Sequence, residues 1–188
     1  MLRLLLVRPG LTDFDEQKRI KGALDMPLNV AGLREVEQAV LALAQEQLDL
    51  VYSSPCRAAV QTAELLAKQR DLRVKVAKDL RNLDRGLWSG KTIEEMKNNQ
   101  PTIYRQWLEN PESICPPGGE TIGEARERVA KFLAKLLRKH RNATIALVVS
   151  EPLLSIIRLV AKASDTIGNL WEVECCCSGW EWIEVPSK

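Results

Sequence analysis

The chain has 188 residues, 45% of them hydrophobic and 28% charged, which fits one compact domain over residues 1–188 with a sizeable core. A net charge of +2 with acidic and basic residues interleaved excludes the concentrated basic stripe of a nucleic-acid binder and leaves phosphorylated or acidic small ligands open. The apolar run Leu4 to Val7 is shorter than a signal-peptide core and no stretch approaches membrane-spanning length, so a cytoplasmic protein without membrane association is expected.

In chain order, Leu2 to Val7 is short, branched and almost wholly apolar, as a strand covered on both faces must be. Arg8-Pro9-Gly10 closes it as a turn, because Pro-Gly breaks regular structure and the residue before proline prefers extended geometry. Ala31 to Gln47 carries Leu33, Val36, Val40 and Ala44 at helical spacing, and Ala58 to Lys68 does the same with Ala59, Ala63 and Leu66. Leu48 to Ser53 and Leu72 to Val76 read as strands, which gives two strand-helix-strand units. The segment Asn98 to Gly119, rich in proline and polar residues, reads as the least regular part and as a lid over the strand ends.

Thr121 and Glu124 form a capping-box pattern that opens a long helix with Ala125, Val129, Phe132, Leu133, Leu136 and Leu137 on one face. His140, the one histidine of the chain, stands among Arg138, Lys139 and Arg141 at the end of that helix, where it reads as a solvated cap. Ala143 to Val149 is a second buried strand, followed by Ser150-Glu151-Pro152 and a helix from Leu153 to Lys162. A C-terminal hairpin is expected from Val173 to Cys177 and Trp180 to Val185 around Ser178-Gly179. The alternation of Trp180 and Trp182 with glutamates marks one buried and one wet face. Together these elements predict an α/β fold: a three-layer α/β/α sandwich with a mostly parallel central sheet.

The five cysteines, Cys56, Cys115, Cys175, Cys176 and Cys177, lack the spacing or histidine partners of a zinc site. They read as small reduced residues, so neither a metal nor another cofactor is expected. Cys56 beside Arg57 near a helix start is a thiol that could be activated, but no phosphate-cradling loop follows it. The five tryptophans, Trp88 and Trp107 among them, read as core or rim packing.

In such a sheet, ligands sit beyond the carboxyl ends of the central strands, here the loops after Val7 and Val149. At these loops the chain resembles a known family. Leu5-Leu6-Val7-Arg8-Pro9-Gly10-Leu11-Thr12, followed by Arg19, Gly22, Asp25, Pro27-Leu28 and Gly32, is similar to the opening motif of the histidine phosphatase superfamily, the phosphoglycerate mutase-like group. Ser53-Ser54-Pro55 with Gln61-Thr62-Ala63-Glu64 resembles its second motif, and Leu80 with Gly86, Trp88 and Gly90 its third. Pro117-Gly118-Gly119-Glu120-Thr121 resembles the fourth, and Val148-Val149-Ser150 with Ile157-Arg158 the last.

The resemblance implies a phosphohistidine mechanism, and five positions depart from it. The family's nucleophilic histidine falls on Pro9, which has no side-chain lone pair; its partner histidine falls on Glu151. Its second phosphate-binding arginine falls on Ala58, one position from Arg57, a shift of roughly 100° around a helix. Its general acid falls on Asn82, and an asparagine that helps hold phosphate falls on Asp15. Of that constellation Arg8 remains, and one charge-assisted arginine contact contributes about 1.5 to 3 kcal/mol, below the roughly 4 kcal/mol that millimolar affinity requires. Glu151 is therefore expected to neutralise Arg8 directly.

The first expectation drawn from this is a catalytically inactive pseudophosphatase without catalytic residues, degenerate at Pro9, Ala58, Asn82 and Glu151. Its cleft of Arg8, Asp15, Arg19, Arg57 and Glu151 would bind a small molecule or a protein partner in a regulatory role, and a homo-oligomer is compatible with the sequence. The alternative is an enzyme with altered, carboxylate-based hydrolytic or phosphatase chemistry in the same cleft, drawing on Asp15, Asp84 or Glu151. An ordinary phosphatase or mutase acting through phosphohistidine is excluded by Pro9 and Glu151.

Overall fold

The apolar run near the N-terminus is continuous because both of its faces are covered. In the computed structural model, which describes residues 1–162 and 179–185, it forms β1 (Leu2–Val7) at the interior of a sheet. Leu4 and Leu6 enter one core with Ile145 and Leu147, while Leu5 and Val7 enter a second with Ala146 and Val148. Successive strand residues point to opposite faces, so two adjoining strands without polar interruption supply both cores at once.

Helices then occupy both sides. After a short α1 (Asp13–Glu16), α2 (Val30–Ala42) and α3 (Arg57–Lys68) cover one face through Val36, Val40, Ala59, Ala63 and Leu66. On the other face lie α4 (Ile93–Asn99), α5 (Pro101–Glu109), α6 (Ile122–Lys139) and α7 (Leu153–Lys162), with Val129, Phe132, Leu133 and Ile156 in the core. The remaining strands are β2 (Leu50–Ser53), β3 (Val74–Val76), β4 (Thr144–Val148) and β5 (Trp180–Val185). Their order is β3-β2-β4-β1-β5, with β5 antiparallel to β1 and the other pairs parallel. The expected α/β sandwich with a mostly parallel sheet is what forms.

Several boundaries differ from the sequence reading. The helix expected to reach Gln47 stops at Ala42, where Leu43 leaves helical geometry and turns into the core. The first arm of the expected C-terminal hairpin, Val173 to Cys177, lies outside the described residues. Its second arm is β5: Ile183 and Val185 are buried in one core, while on the other face Trp182 packs half-buried against the second core and Trp180 is 42% exposed. Pairing with β1 decides this, because it turns the Ile183 face toward α6 and α7. The segment from Asn98 to Gly119 is also more regular than expected. It contains α5 and buries Trp107 against Trp88, ring centroids 5.4 Å apart, so it is anchored to the core.

Two close backbone approaches fix the loops around the strand ends. A Cβ on Gly10 would stand 2.3 Å from the Gly32 carbonyl oxygen, and one on Gly32 would stand 2.1 Å from the Leu11 carbonyl oxygen. Only glycine at both positions lets the turn after β1 rest on the first turn of α2. Gly86, at φ 47°, sits equally close to the Pro117 carbonyl and joins the third and fourth motifs. Among the described residues no helix is long and apolar enough to cross a membrane.

Candidate active site

The parallel register brings the ends of β1, β2 and β4 together, with Val7 and Ser53 both opposite Val148. Arg8 leaves the end of β1 and Glu151 follows the end of β4. Arg8 Nη2 lies 3.1 Å from Glu151 Oε1, so the ion pair expected from the sequence is present. It is an ion pair without a directed hydrogen bond, since Oε1 is buried and no donor is aligned on it. The side chains differ in access: Arg8 is 23% exposed and Glu151 4%.

The second carboxylate oxygen is held more firmly. Ser155, in the first turn of α7, donates to Glu151 Oε2 from its backbone N–H at 3.1 Å and from its hydroxyl at 2.8 Å. Burial pushes the Glu151 carboxyl above its ordinary value, outweighing the Ser155 hydrogen bonds and the charges of Arg8 and Arg158, which act the other way. Glu151 is thus a carboxyl held toward its neutral form beside a cation. Sequence reasoning missed Ser155, whose signal is the four-residue spacing from Glu151 across a helix start.

Asn82 ties the two sides of the cleft. Its Nδ2 donates to the carbonyls of Gly22 and Glu151, each at 3.1 Å, which fixes the amide's orientation and leaves Oδ1 buried without a hydrogen bond. Asn82 lines a cavity of about 230 Å³ with Gly22, Ser54, Cys56 and Arg81. Arg8 lines another, of about 270 Å³, with Leu154, Arg158, Trp180 and Glu181. In the latter, Arg158 is paired with Glu181, Nε to Oε1 2.7 Å and Nη2 to Oε1 2.5 Å.

The other residues singled out in the sequence are engaged elsewhere. Asp15 Oδ2 accepts from the backbone N–H and hydroxyl of Thr12, each at 2.7 Å, and Oδ1 pairs with Lys21 at 2.6 Å. Arg19 donates to the Gly90 carbonyl at 2.7 Å and to Gln17 at 2.8 Å, joining the first and third motifs. Ala58 is buried in the core under α3. Arg57 is exposed at the start of that helix, its backbone N–H donating to Asp25. Asp84 Oδ1 accepts from Gly86 N–H at 2.9 Å. Cys56 is the N-cap residue of α3, and no group of three or more potential metal ligands occurs among the described residues.

His140 closes α6 as its C-cap, distant in sequence from every cleft residue but Glu151 and its neighbours. It is less solvated than expected: Nε2 is buried without a hydrogen bond, and burial, with Lys75 and Lys139, lowers its basicity.

The central strands of this open α/β sheet deliver an arginine, a carboxyl and a helix start to one cleft. Residues 4–182 match the model of the histidine phosphatase superfamily (branch 1), and the chain belongs to that family. It is 30% identical over its whole length to phosphoserine phosphatase 1 of Hydrogenobacter thermophilus, covering 89% of that protein. Mycobacterial relatives at 36% identity over 168 residues are longer, and the chain spans 46% of their length. Among solved structures, a mycobacterial glucosyl-3-phosphoglycerate phosphatase aligns with TM-score 0.80 and 26% identity, over 90% of this chain and 83% of that one. A histidine-to-alanine mutant of Entamoeba histolytica phosphoserine phosphatase in complex with phosphoserine aligns with TM-score 0.78 and 25% identity, over 92% and 84%.

These relatives overturn the expectation of a catalytically inactive protein. The full-length relative and the aligned structures are named phosphatases, and the alternative reading, altered phosphatase chemistry in the same cleft, fits them better.

Proposed function

We propose that the chain hydrolyses small phosphomonoesters by a carboxylate route in the cleft between Arg8 and Glu151. The observation that carries this reading is the Arg8–Glu151 pair, 3.1 Å apart at the ends of the two central strands. Family membership supports the reaction class, and the residues present favour the route. Position 9 is proline and the one histidine caps α6, so the phosphoryl group passes directly to water rather than through phosphohistidine.

In that route Arg8 meets the phosphate and Glu151 carries the proton. Water forms the new bond to phosphorus, the ester oxygen leaves, and Glu151 protonates it; the proton lost by the attacking water restores Glu151. Burial pushes the Glu151 carboxyl up, the direction a general acid needs. Asp15 is committed to Thr12 and Lys21, and Asp84 to Gly86, which leaves Glu151 as the carboxyl in contact with Arg8 among those considered.

The test is phosphate release from a panel of phosphomonoesters that includes phosphoserine. The wild type turns over at least one of them, and Glu151→Gln lowers the rate by about 100- to 10,000-fold. Absence of turnover across the panel, or turnover indifferent to Glu151→Gln, rejects the reading.

A further inference from the structure

The groups around the Glu151 carboxylate are those that would surround a bound oxyanion. Arg8 approaches from the end of β1, and Ser155 contributes a helix N–H and a hydroxyl at 3.1 and 2.8 Å. Arg158 adds positive potential from the next turn of α7, itself paired with Glu181 of β5. A cation, a first-turn N–H and a serine hydroxyl are the elements of a phosphate cradle. Here a carboxylate of the chain itself fills it. Asn82, the contact from the loop after β3, is neutral and touches the Glu151 backbone carbonyl.

We propose that Glu151 is an internal stand-in for the ligand's oxyanion, so that Arg8 is released to a bound phosphate or sulfate only as Glu151 takes up a proton. The inference rests on the reading of Arg8 as the phosphate anchor. While Glu151 is ionised it satisfies Arg8, and a dianion entering the cleft would meet a buried negative charge. Once protonated, Glu151 no longer competes, and its remaining hydroxyl can donate toward the anion. Burial already favours that protonated form. The proton that frees Arg8 is also the proton that hydrolysis delivers to the leaving group, so binding arms the acid.

The exchange is read with sulfate, a tetrahedral dianion that keeps its charge between about pH 5 and about pH 8, by calorimetric titration. Wild-type affinity rises as pH falls, by up to about tenfold per pH unit for one proton taken up. Glu151→Gln binds sulfate more tightly than the wild type at neutral pH and shows no such slope. It retains His140, whose titration is therefore common to both proteins. Ser155→Ala is a second variant outside the proposed proton path: without its hydroxyl, which stabilises the carboxylate, sulfate binding extends to higher pH.

A wild-type profile as flat as that of Glu151→Gln, equal affinities at neutral pH, or no sulfate binding by either protein overturns the inference. Sulfate binding that follows Glu151 while no phosphomonoester is turned over leaves the exchange standing and rejects hydrolysis. Turnover with sulfate affinity independent of Glu151 does the reverse.

Discussion

Glu151 joins three physical facts at one atom group: burial, a cation at 3.1 Å and two donors from Ser155. Folding raises its affinity for a proton, so the stability tied to this group is complete below the unfolded carboxylate pKa. It is lost as pH rises through the folded value. Glu151→Gln cannot ionise and removes that slope. Urea titrations of the two proteins from acid to neutral pH will show the variant gaining on the wild type as pH rises; a constant difference would mean Glu151 does not titrate in this range. At position 140 the expected outcome is indifference. His140→Ala retains the phosphatase rate, because the ring caps α6 and takes no part in phosphoryl transfer. Loss of that rate would restore a histidine to the chemistry.

Elements hold these residues in place through caps and core anchors. Thr121 and Glu124 close a reciprocal box on α6, Thr121 Oγ1 accepting from Glu124 N–H at 3.1 Å and its N–H donating to Glu124 at 2.8 Å. Thr121→Ala will lower stability by about 1 kcal/mol in thermal or urea unfolding. Trp107→Ala will cost about 3 to 5 kcal/mol, because the indole is 1% exposed and pins α5 against Trp88 and beneath the Arg85 guanidinium. A cost below 1 kcal/mol would return that segment to a surface loop. The capping box and the doubly buried strands were legible because their causes are local: a Thr-x-x-Glu spacing and two uninterrupted apolar runs. The burial of Ile183 and Val185 in β5 was not, since Trp180 and Trp182 draw attention to the opposite face. Its orientation is set by antiparallel pairing with β1, a contact between chain ends. α5 was hidden for a similar reason, its helix lying between prolines that locally read as breakers.

At the scale of the whole molecule, the sheet order β3-β2-β4-β1-β5 makes one cleft from loops far apart in sequence. The positions of Arg8 and Glu151 in that cleft were legible, because topology places loops after parallel strands together and opposite charges there must meet. The Asp15–Lys21 and Arg158–Glu181 pairs were not, since they depend on side-chain directions that no spacing encodes, whereas the hold of Asp15 on Thr12 is a capping box whose three-residue spacing was there to be read. The histidines absent from the cleft remove one route through the family's chemistry, while the full-length relative is named a phosphatase. Whether Glu151 carries the proton of a phosphomonoester hydrolysis is decided by inorganic phosphate release from the phosphomonoester panel, measured for the wild type and Glu151→Gln side by side. The expected result is release by the wild type from at least one ester and a loss of about 100-fold or more in the variant. Equal rates, or no release by the wild type, would contradict it.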